Sequence, residues 1–345
     1  MTPETKQIQI SPITDRLKTE EAICVIKEKF AKSLAHNLNL VNVSAPIAVL
    51  DGTGINDDLN GVEKPVGFSM KGIPGQKALI VQSLAKWKRL RLKEFNIKAG
   101  KGLLTDMRAI RPDEDLSPIH SVYVDQWDWE KHILPEQRSL KYLKTTVESI
   151  YESLKETERD ICKMYPELTP DLPDTIHFIH SEELLKQFPD LTVKEREANI
   201  ARNFGAVFVI GIGATLSDGK AHDGRAPDYD DWSTINEDGY SGLNGDIILW
   251  NPVLQSAIEI SSMGIRVDKE ALEKQLEIRG CNDRKNLLFH KMLLNDQLPL
   301  SIGGGIGQSR MCMYFLKKSH IGEVQSSIWP ESVKNQMKEE GINLL

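Results

Sequence analysis

Extended runs follow one another in this chain with no helix between them. Residues 103–110 lead through a short polar stretch to 121–129, and the runs 206–211, 246–250 and 257–267 succeed each other in the same way. Parallel strands need a crossover, usually a helix, between neighbours. This order therefore favours a mainly antiparallel sheet flanked by helices, an α+β fold, over a doubly wound one. Further extended runs are expected at 41–50, interrupted by Pro46, and at 78–82 and 177–180. Helix patterns flank them. From Leu17 the spacing of Ile23, Ile26, Phe30 and Leu34 puts one apolar face on a helix, and a long pattern covers 140–164. Thr192-Val-Lys-Glu195 has the form of a capping box opening a helix through Asn203. Two patterns, 269–279 and 284–294, precede a glycine cluster and a last helix near 308–317.

No repeat, low-complexity tract or Pro/Ser-rich linker divides the chain, so residues 1–345 are read as one catalytic-size domain with a loose lead-in over 1–16. The length of 345 residues would equally allow two domains. With 40% apolar and 27% charged residues the chain is neither disordered nor fibrous. Its net charge of −7 argues against broad nucleic-acid binding. The most apolar stretch, 205–216, is much shorter than the roughly 20 residues that cross a bilayer, and 1–7 does not read as a signal peptide. Cys24, Cys162, Cys281 and Cys312 form no CxxC pair, which suits reduced thiols in a cytoplasmic protein without a membrane partner.

Four features carry chemistry. Gly303-Gly304-Gly305-Ile306-Gly307-Gln308-Ser309-Arg310 lets a backbone approach a ligand closely and then presents an arginine on the following helix. It is not a Walker loop, and only 38 residues follow Gly307, too few for a Rossmann fold. The same glycines would also serve a plain strand–helix junction. Arg111-Pro112-Asp113-Glu114-Asp115 occupies the loop of the 103–129 hairpin, where an arginine fork suits a phosphate and Glu114 an amino group or a metal; most charged hairpin loops are only solvated turns. Asp230, Asp246 and Glu259 are carboxylates in or beside strands, costly there unless paired or holding a cation such as Mg²⁺. The basic run Lys86, Lys88, Arg89, Arg91, Lys93 reads as a solvated helix face with Trp87 and Leu90 inward. His177 and His180 are taken as ordinary sheet histidines.

The order of these features is more specific than any one of them. An R-x-x-E hairpin, a returning strand D-Q-W-D-W-E, a late sheet glutamate and a terminal G-G-G-I-G-Q-S-R resemble the ATP site of class II aminoacyl-tRNA synthetases, nearest the aspartyl and asparaginyl types. SLAKWKR (83–89), IRPDED (110–115), HSVYVDQWDWE (120–130), RAPDYDDWST (225–234), LNGDI (243–247), EISSMGIR (259–266) and GGGIGQSR are similar to one relative of that superfamily, the ammonia-dependent asparagine synthetase (aspartate–ammonia ligase) family. The resemblance implies a ligase that makes asparagine from aspartate, ammonia and ATP through a β-aspartyl-adenylate, releasing AMP and pyrophosphate. It implies Arg111 on the α-phosphate, with Arg310, Glu114, Gly305 and Gly307 at the nucleotide and Asp246 with Glu259 at Mg²⁺. Ser83, Lys88, Gln126, Asp128, Ser262 and Arg266 would orient aspartate, and Asp57 and Asp230 would meet the ammonia. A homodimer through 17–50 is expected, and 51–71 is a candidate lid. The competing readings are an aspartyl- or asparaginyl-tRNA synthetase paralogue that still uses tRNA, and a non-catalytic amino-acid sensor. Against the first stand the acidic charge and the lack of a recognisable anticodon-binding segment.

Overall fold

A computed structural model describes residues 11–57 and 63–345. In chain order these form α1 (Arg16–Leu38), β1 (Leu40–Asn42), β2 (Ala48–Leu50), β3 (Gly67–Ser69), β4 (Lys77–Ile80), α2 (Ala85–Glu94), β5 (Gly102–Ile110), β6 (Tyr123–His132), α3 (Leu140–Met164) and β7 (His177–His180). There follow α4 (Ser181–Gln187), α5 (Val193–Phe204), β8 (Ala206–Ile210), β9 (Asn244–Asn251), β10 (Ser256–Ile265), α6 (Lys269–Ile278), α7 (Leu288–Leu294), β11 (Ser301–Gly307), α8 (Gln308–Phe315) and α9 (Glu331–Glu339). The main sheet runs β1-β5-β6-β11-β10-β9-β8-β7, and β2-β4-β3 make a small second sheet. The six central strands are antiparallel, and a parallel strand is added at each edge, β1 on β5 and β7 on β8.

The two long helices cover one face of the main sheet. Asp15 caps α1 by accepting from Lys18 N–H, and Asn39 ends it in the left-handed region at φ 58°. Its buried stripe of Ile23, Ile26, Phe30 and Leu34 meets Leu143, Val147, Ile150 and Leu154 of α3 over Trp127, Trp129, Met263, Ile265 and Ile302. On the opposite face, α4 and α5 pack over β7–β9 through Ile179, Leu184, Ile200, Val207 and Val209, and Leu84 before α2 and Trp87 within it pack on Met107 and Ala109 of β5. That leaves the same face of β6, β11 and β10 uncovered between them. There the alternation presents Gln126, Asp128 and Glu130 of β6 opposite the inward Trp127 and Trp129.

Several expectations are corrected. Residues 1–10 of the lead-in lie outside the described residues, but Ser11 and Ile13 are buried and tied down: Ser11 Oγ donates to the Leu316 carbonyl at 2.7 Å, and Lys318 Nζ donates to that of Ile13 at 2.6 Å. Of the candidate lid, 58–62 lie outside the described residues, and 67–69 form strand β3. The helix expected over 284–294 is a 3₁₀ turn, Asn282–Asn286, then α7, because Leu287 is extended at φ −76°, ψ 156°. The basic helix is α2, but it is not a solvated face: Lys86, Lys88 and Arg89 are all 2% exposed or less. Each instead finds a buried partner, Arg89 donating to the Val267 and Pro299 carbonyls at 2.6 and 2.9 Å. His180 does more than fill a strand; its Nδ1 accepts from Glu182 N–H at 3.0 Å and caps α4.

Leu154, wholly buried between α1 and α3, tests the load on this layer. Leu154→Ala should cost about 2–5 kcal/mol of unfolding free energy in urea titration while leaving turnover of the remaining folded protein near normal.

Candidate active site

The uncovered face floors a cavity of about 500 Å³. Strand β11 makes the floor possible. Gly303 and Gly305 face charged and polar side chains: a Cβ on Gly305 would stand 2.6 Å from both Asp128 Oδ1 and Gln126 Oε1, while one on Gly303 would overlap Glu130 Oε2. Only glycine lets charged side chains of β6 and β10 lie flat across this strand. Arg266 uses that space: its Nε and Nη2 donate to Glu130, at 2.9 Å for the closest pair, and its Nη1 donates to Asp230. Ser301 Oγ donates to Glu130 at 2.7 Å. Burial works against the Arg266 charge, but Glu130 and Asp230 outweigh it, and the guanidinium holds its proton more tightly than usual.

Beside this network Lys88 donates to the Gly304 carbonyl at 2.8 Å and sits 3.4 Å from Asp128. Burial pushes the lysine down and the carboxyl up, and each partner opposes the shift of the other. Arg225 reaches Ser262 Oγ and Asp246 Oδ1, the latter at 2.5 Å, with Asp230 at 3.5 Å. Its charge is likewise reinforced, by Asp246 and Asp230 against burial.

At the other end, Arg111 starts the hairpin loop, its N–H donating to Val122 O at 2.8 Å and its Nη2 to Gln82 O at 3.2 Å. Arg310 on α8 donates to the carbonyls of Glu259 at 3.0 Å and Ile119 at 3.4 Å, and so spans from β10 to the hairpin loop. Glu259 reaches the cavity through a β-bulge. The register of β10 on β9 shifts between Glu259 and Ser261, so Ile258 and Ile260 are buried before it and Met263 and Ile265 after it. Without the shift in register Glu259 and Met263, four residues apart, would share the core face.

The residues expected at the site converge. Arg111, Glu114, Gly305, Gly307, Glu259 and Arg310 all border the cavity, as do Asp57, Ser83, Lys88, Gln126, Asp128, Asp230, Ser262 and Arg266. Asp246 does not line it; burial pushes its carboxyl up to about 7, against the pull of Arg225 and with the nearby Glu259 adding to the rise. Arg225, Tyr229 and His120 also border the cavity and were missed. Arg225 and Tyr229 flank Asp230 in RAPDYDDW, yet no spacing rule marks them. His120, hydrogen-bonded through Nδ1 to Ser117 Oγ at 2.7 Å, is pushed down to about 4, first by burial and then by Arg310.

The profile of the aspartate–ammonia ligase family matches residues 17–341. The chain belongs to this family. It is 54% identical over 334 residues to the aspartate–ammonia ligase of Bacteroides thetaiotaomicron and 55% identical over 334 residues to that of Clostridium perfringens, covering 97% of each partner and 97% of itself. It is thus an enzyme chain of a ligase family. In three dimensions it is similar to the asparaginyl-tRNA synthetase of Pyrococcus horikoshii, solved with asparaginyl-adenylate (TM-score 0.67, 16% identity, 91% of this chain and 70% of that one). An Entamoeba histolytica aspartyl-tRNA synthetase aligns with a TM-score of 0.58 at 15% identity, over 89% of this chain and 58% of the other. The class II synthetase fold expected from the hairpin and the glycine strand is the fold of the chain.

Gly303→Ala tests the floor. A methyl there displaces the Glu130–Arg266 pair, and a shift near 1 Å at a reacting centre can cost about 100-fold in rate. The variant should lose at least that much in kcat/KM for aspartate while keeping a cooperative thermal transition.

Proposed function

We propose that this enzyme makes asparagine from aspartate and ammonia by adenylating the β-carboxylate, and that the cavity is where this occurs. The observation that carries the reading is the adjacency of Lys88 and Asp128 at 3.4 Å on the glycine floor. The α-carboxylate and α-ammonium of an amino acid leave from one carbon, so their partners must also be neighbours. Lys88 with the unspent N–H groups of Arg266 receives the carboxylate, Asp128 the ammonium, and Ser83, Gln126 and Ser262 complete the fit. This pins the α-groups and leaves the β-carboxylate to face the nucleotide.

Arg111 binds the α-phosphate and Arg310 the adenine face and phosphate tail, with Glu114, Gly305 and Gly307 around the nucleotide. The β-carboxylate attacks the α-phosphorus and pyrophosphate leaves. Ammonia then adds its lone pair to the acyl carbon, the C–O bond to phosphate breaks with its electrons going to AMP, and one N–H proton passes to Asp57, with Asp230 holding the nitrogen. Fixed arginines matter most in the first step, where negative charge builds on the phosphate.

Among the described residues no three His, Cys, Asp or Glu side chains gather as a ready metal site. Asp246, whose carboxyl the nearby Glu259 helps to push up, and Glu259 itself fit a Mg²⁺ whose other ligands are phosphate oxygens and water, the usual division for that ion. They would hold it, and it would neutralise charge on the triphosphate.

A homodimer is proposed on narrower ground than the whole of 17–50. The apolar stripe of α1 is spent inside its own chain. Exposed instead are Val41 on the edge strand β1, Ile47 before β2, and Leu50 and Phe68, which flank Ala78 in register on one face of the small sheet. Light scattering should give twice the chain mass, and Phe68→Lys should lower it to one. No helix among the described residues is long and apolar enough to cross a membrane.

The reading is tested with aspartate, ATP, Mg²⁺ and ammonium chloride. Asparagine and AMP should form together, EDTA should stop both, and Arg111→Ala should cut the rate by about 100- to 1000-fold, the scale for losing one charge-stabilising donor. Release of ADP, or turnover indifferent to ammonium, overturns it.

A further inference from the structure

Behind the aspartate end of the cavity lies a carboxylate that the steps above do not use. Asp228 is wholly buried, and its Oδ2 takes donors from three segments: Lys86 Nζ of α2 at 2.9 Å, His290 Nε2 of α7 at 3.0 Å, and Arg284 from the 3₁₀ turn before α7 at 3.3 Å. Lys86 is 2% exposed and His290 not at all. Burial opposes the charge on Asp228, but Lys86 and His290 overcome it and hold the carboxyl well below the usual range. Removing one partner of such a group leaves an uncompensated buried charge, so the partners are fixed in place with it.

Three parts of the proposed site are anchored at this point. Asp228 stands two residues before Asp230 and one before Tyr229, both at the cavity. Lys86 stands two residues before Lys88 on the same helix. His290 seats the loop 53–57. Phe289 N–H donates to Thr53 O at 3.3 Å, and Gly54, at φ +70°, lies so close that a Cβ would stand 2.9 Å from Leu287 Cβ and 3.0 Å from His290 Nδ1. Three residues on, Asp57 borders the cavity. The nucleotide end is held differently, since Arg310 is fixed by the carbonyls of Glu259 and Ile119.

We infer that Asp228, with Lys86 and His290, is a positioning centre that sets the spacing between α2, the 225–230 segment and the 53–57 loop, the three pieces that receive aspartate and ammonia. It touches neither substrate. It acts through Lys88, Asp230 and Asp57, and so rests on the roles proposed for them. Glycine at 54 belongs to the device, because only the missing side chain lets the Asp57 loop sit down on His290.

Steady-state assays of the full-length enzyme, with each substrate varied in turn, test this. His290→Leu removes the donor and should raise KM for both ammonium and aspartate about tenfold, the effect of one buried hydrogen bond to a charge, while KM for ATP moves less than about twofold. His290→Gln, which keeps a donor, should recover most of the loss. Gly54→Ala lifts only the loop and should raise KM for ammonium alone. Asp57→Asn serves as the control for the site: if it leaves KM for ammonium unchanged, the role of Asp57 fails, and the centre is judged on KM for aspartate. Equal rises in all three KM values, a lower melting temperature with unchanged KM values, or a glutamine no better than leucine would each reduce Asp228 to a structural ion cluster. Should His290→Leu fail to fold, Gly54→Ala decides, and an unchanged KM for ammonium there overturns the proposal.

Discussion

One guanidinium laid across a strand of glycines organises the centre of this molecule. Arg266 binds Glu130 on one side and Asp230 on the other over Gly303. Taking three charges out of water costs several kcal/mol per ion. The cost is met only because Ser301 satisfies Glu130 further and the backbone of β11 allows a close approach. Everything else at this end of the cavity is built outward from that fixed point. Arg225 joins the network through Asp230, and Lys88 with Asp128 sits one glycine along, at Gly304 and Gly305. The core behind it is apolar and tightly covered by α1 and α3, so the network has a rigid floor and one open side.

Charge balance then explains what such a floor can receive. The cations Lys88, Arg225 and Arg266 are each engaged by a carboxylate, yet each keeps donors to spare. A zwitterion with an extra carboxylate can enter such a lattice by exchanging partners without stranding a buried charge. At the far end, among the described residues, Arg111 is held by a backbone carbonyl, and Arg310 by backbone carbonyls and the half-exposed Glu259 at 3.9 Å. Their charge therefore remains available to phosphate. The overall −7 does not show this division; within a cavity lining rich in carboxylates, Lys88, Arg111, Arg225, Arg266 and Arg310 are the cations that anions would meet.

Much of this was legible before any coordinates. The hairpin carrying Arg111 and the glycine strand leading to Arg310 had to meet if they served one nucleotide, and they do border one cavity. The helix 140–164 and the capping box at Thr192 follow from local periodicity and from a side chain's reach to its own backbone. The misreadings share a different cause. Lys86, Lys88 and Arg89 look like a solvated face because their composition is polar, and only the partners brought by distant segments, Asp228, Gly304 O and Val267 O, make them interior. Arg225 has no local signature for the same reason. A residue whose role is set wholly by tertiary partners leaves nothing in the spacing of its neighbours.

Glu259 shows the boundary most clearly: the residue was expected at the site, but the bulge that turns it there, though encoded locally, was not read. Strict alternation from Ile258 and Ile260 would carry the buried phase to residues 262 and 264, but the apolar residues that follow are Met263 and Ile265. That slip from even to odd positions is the bulge, and it is what turns both Glu259 and Ser262 toward the cavity. A pattern read only for the presence of alternation sees a strand with a solvent-facing glutamate. Read for its phase, it places a carboxylate from before the bulge and a hydroxyl from after it on one side of the sheet, with Arg310 bridging from α8 to the carbonyl beside them. The break in regularity therefore marks the site more sharply than the regular strand around it.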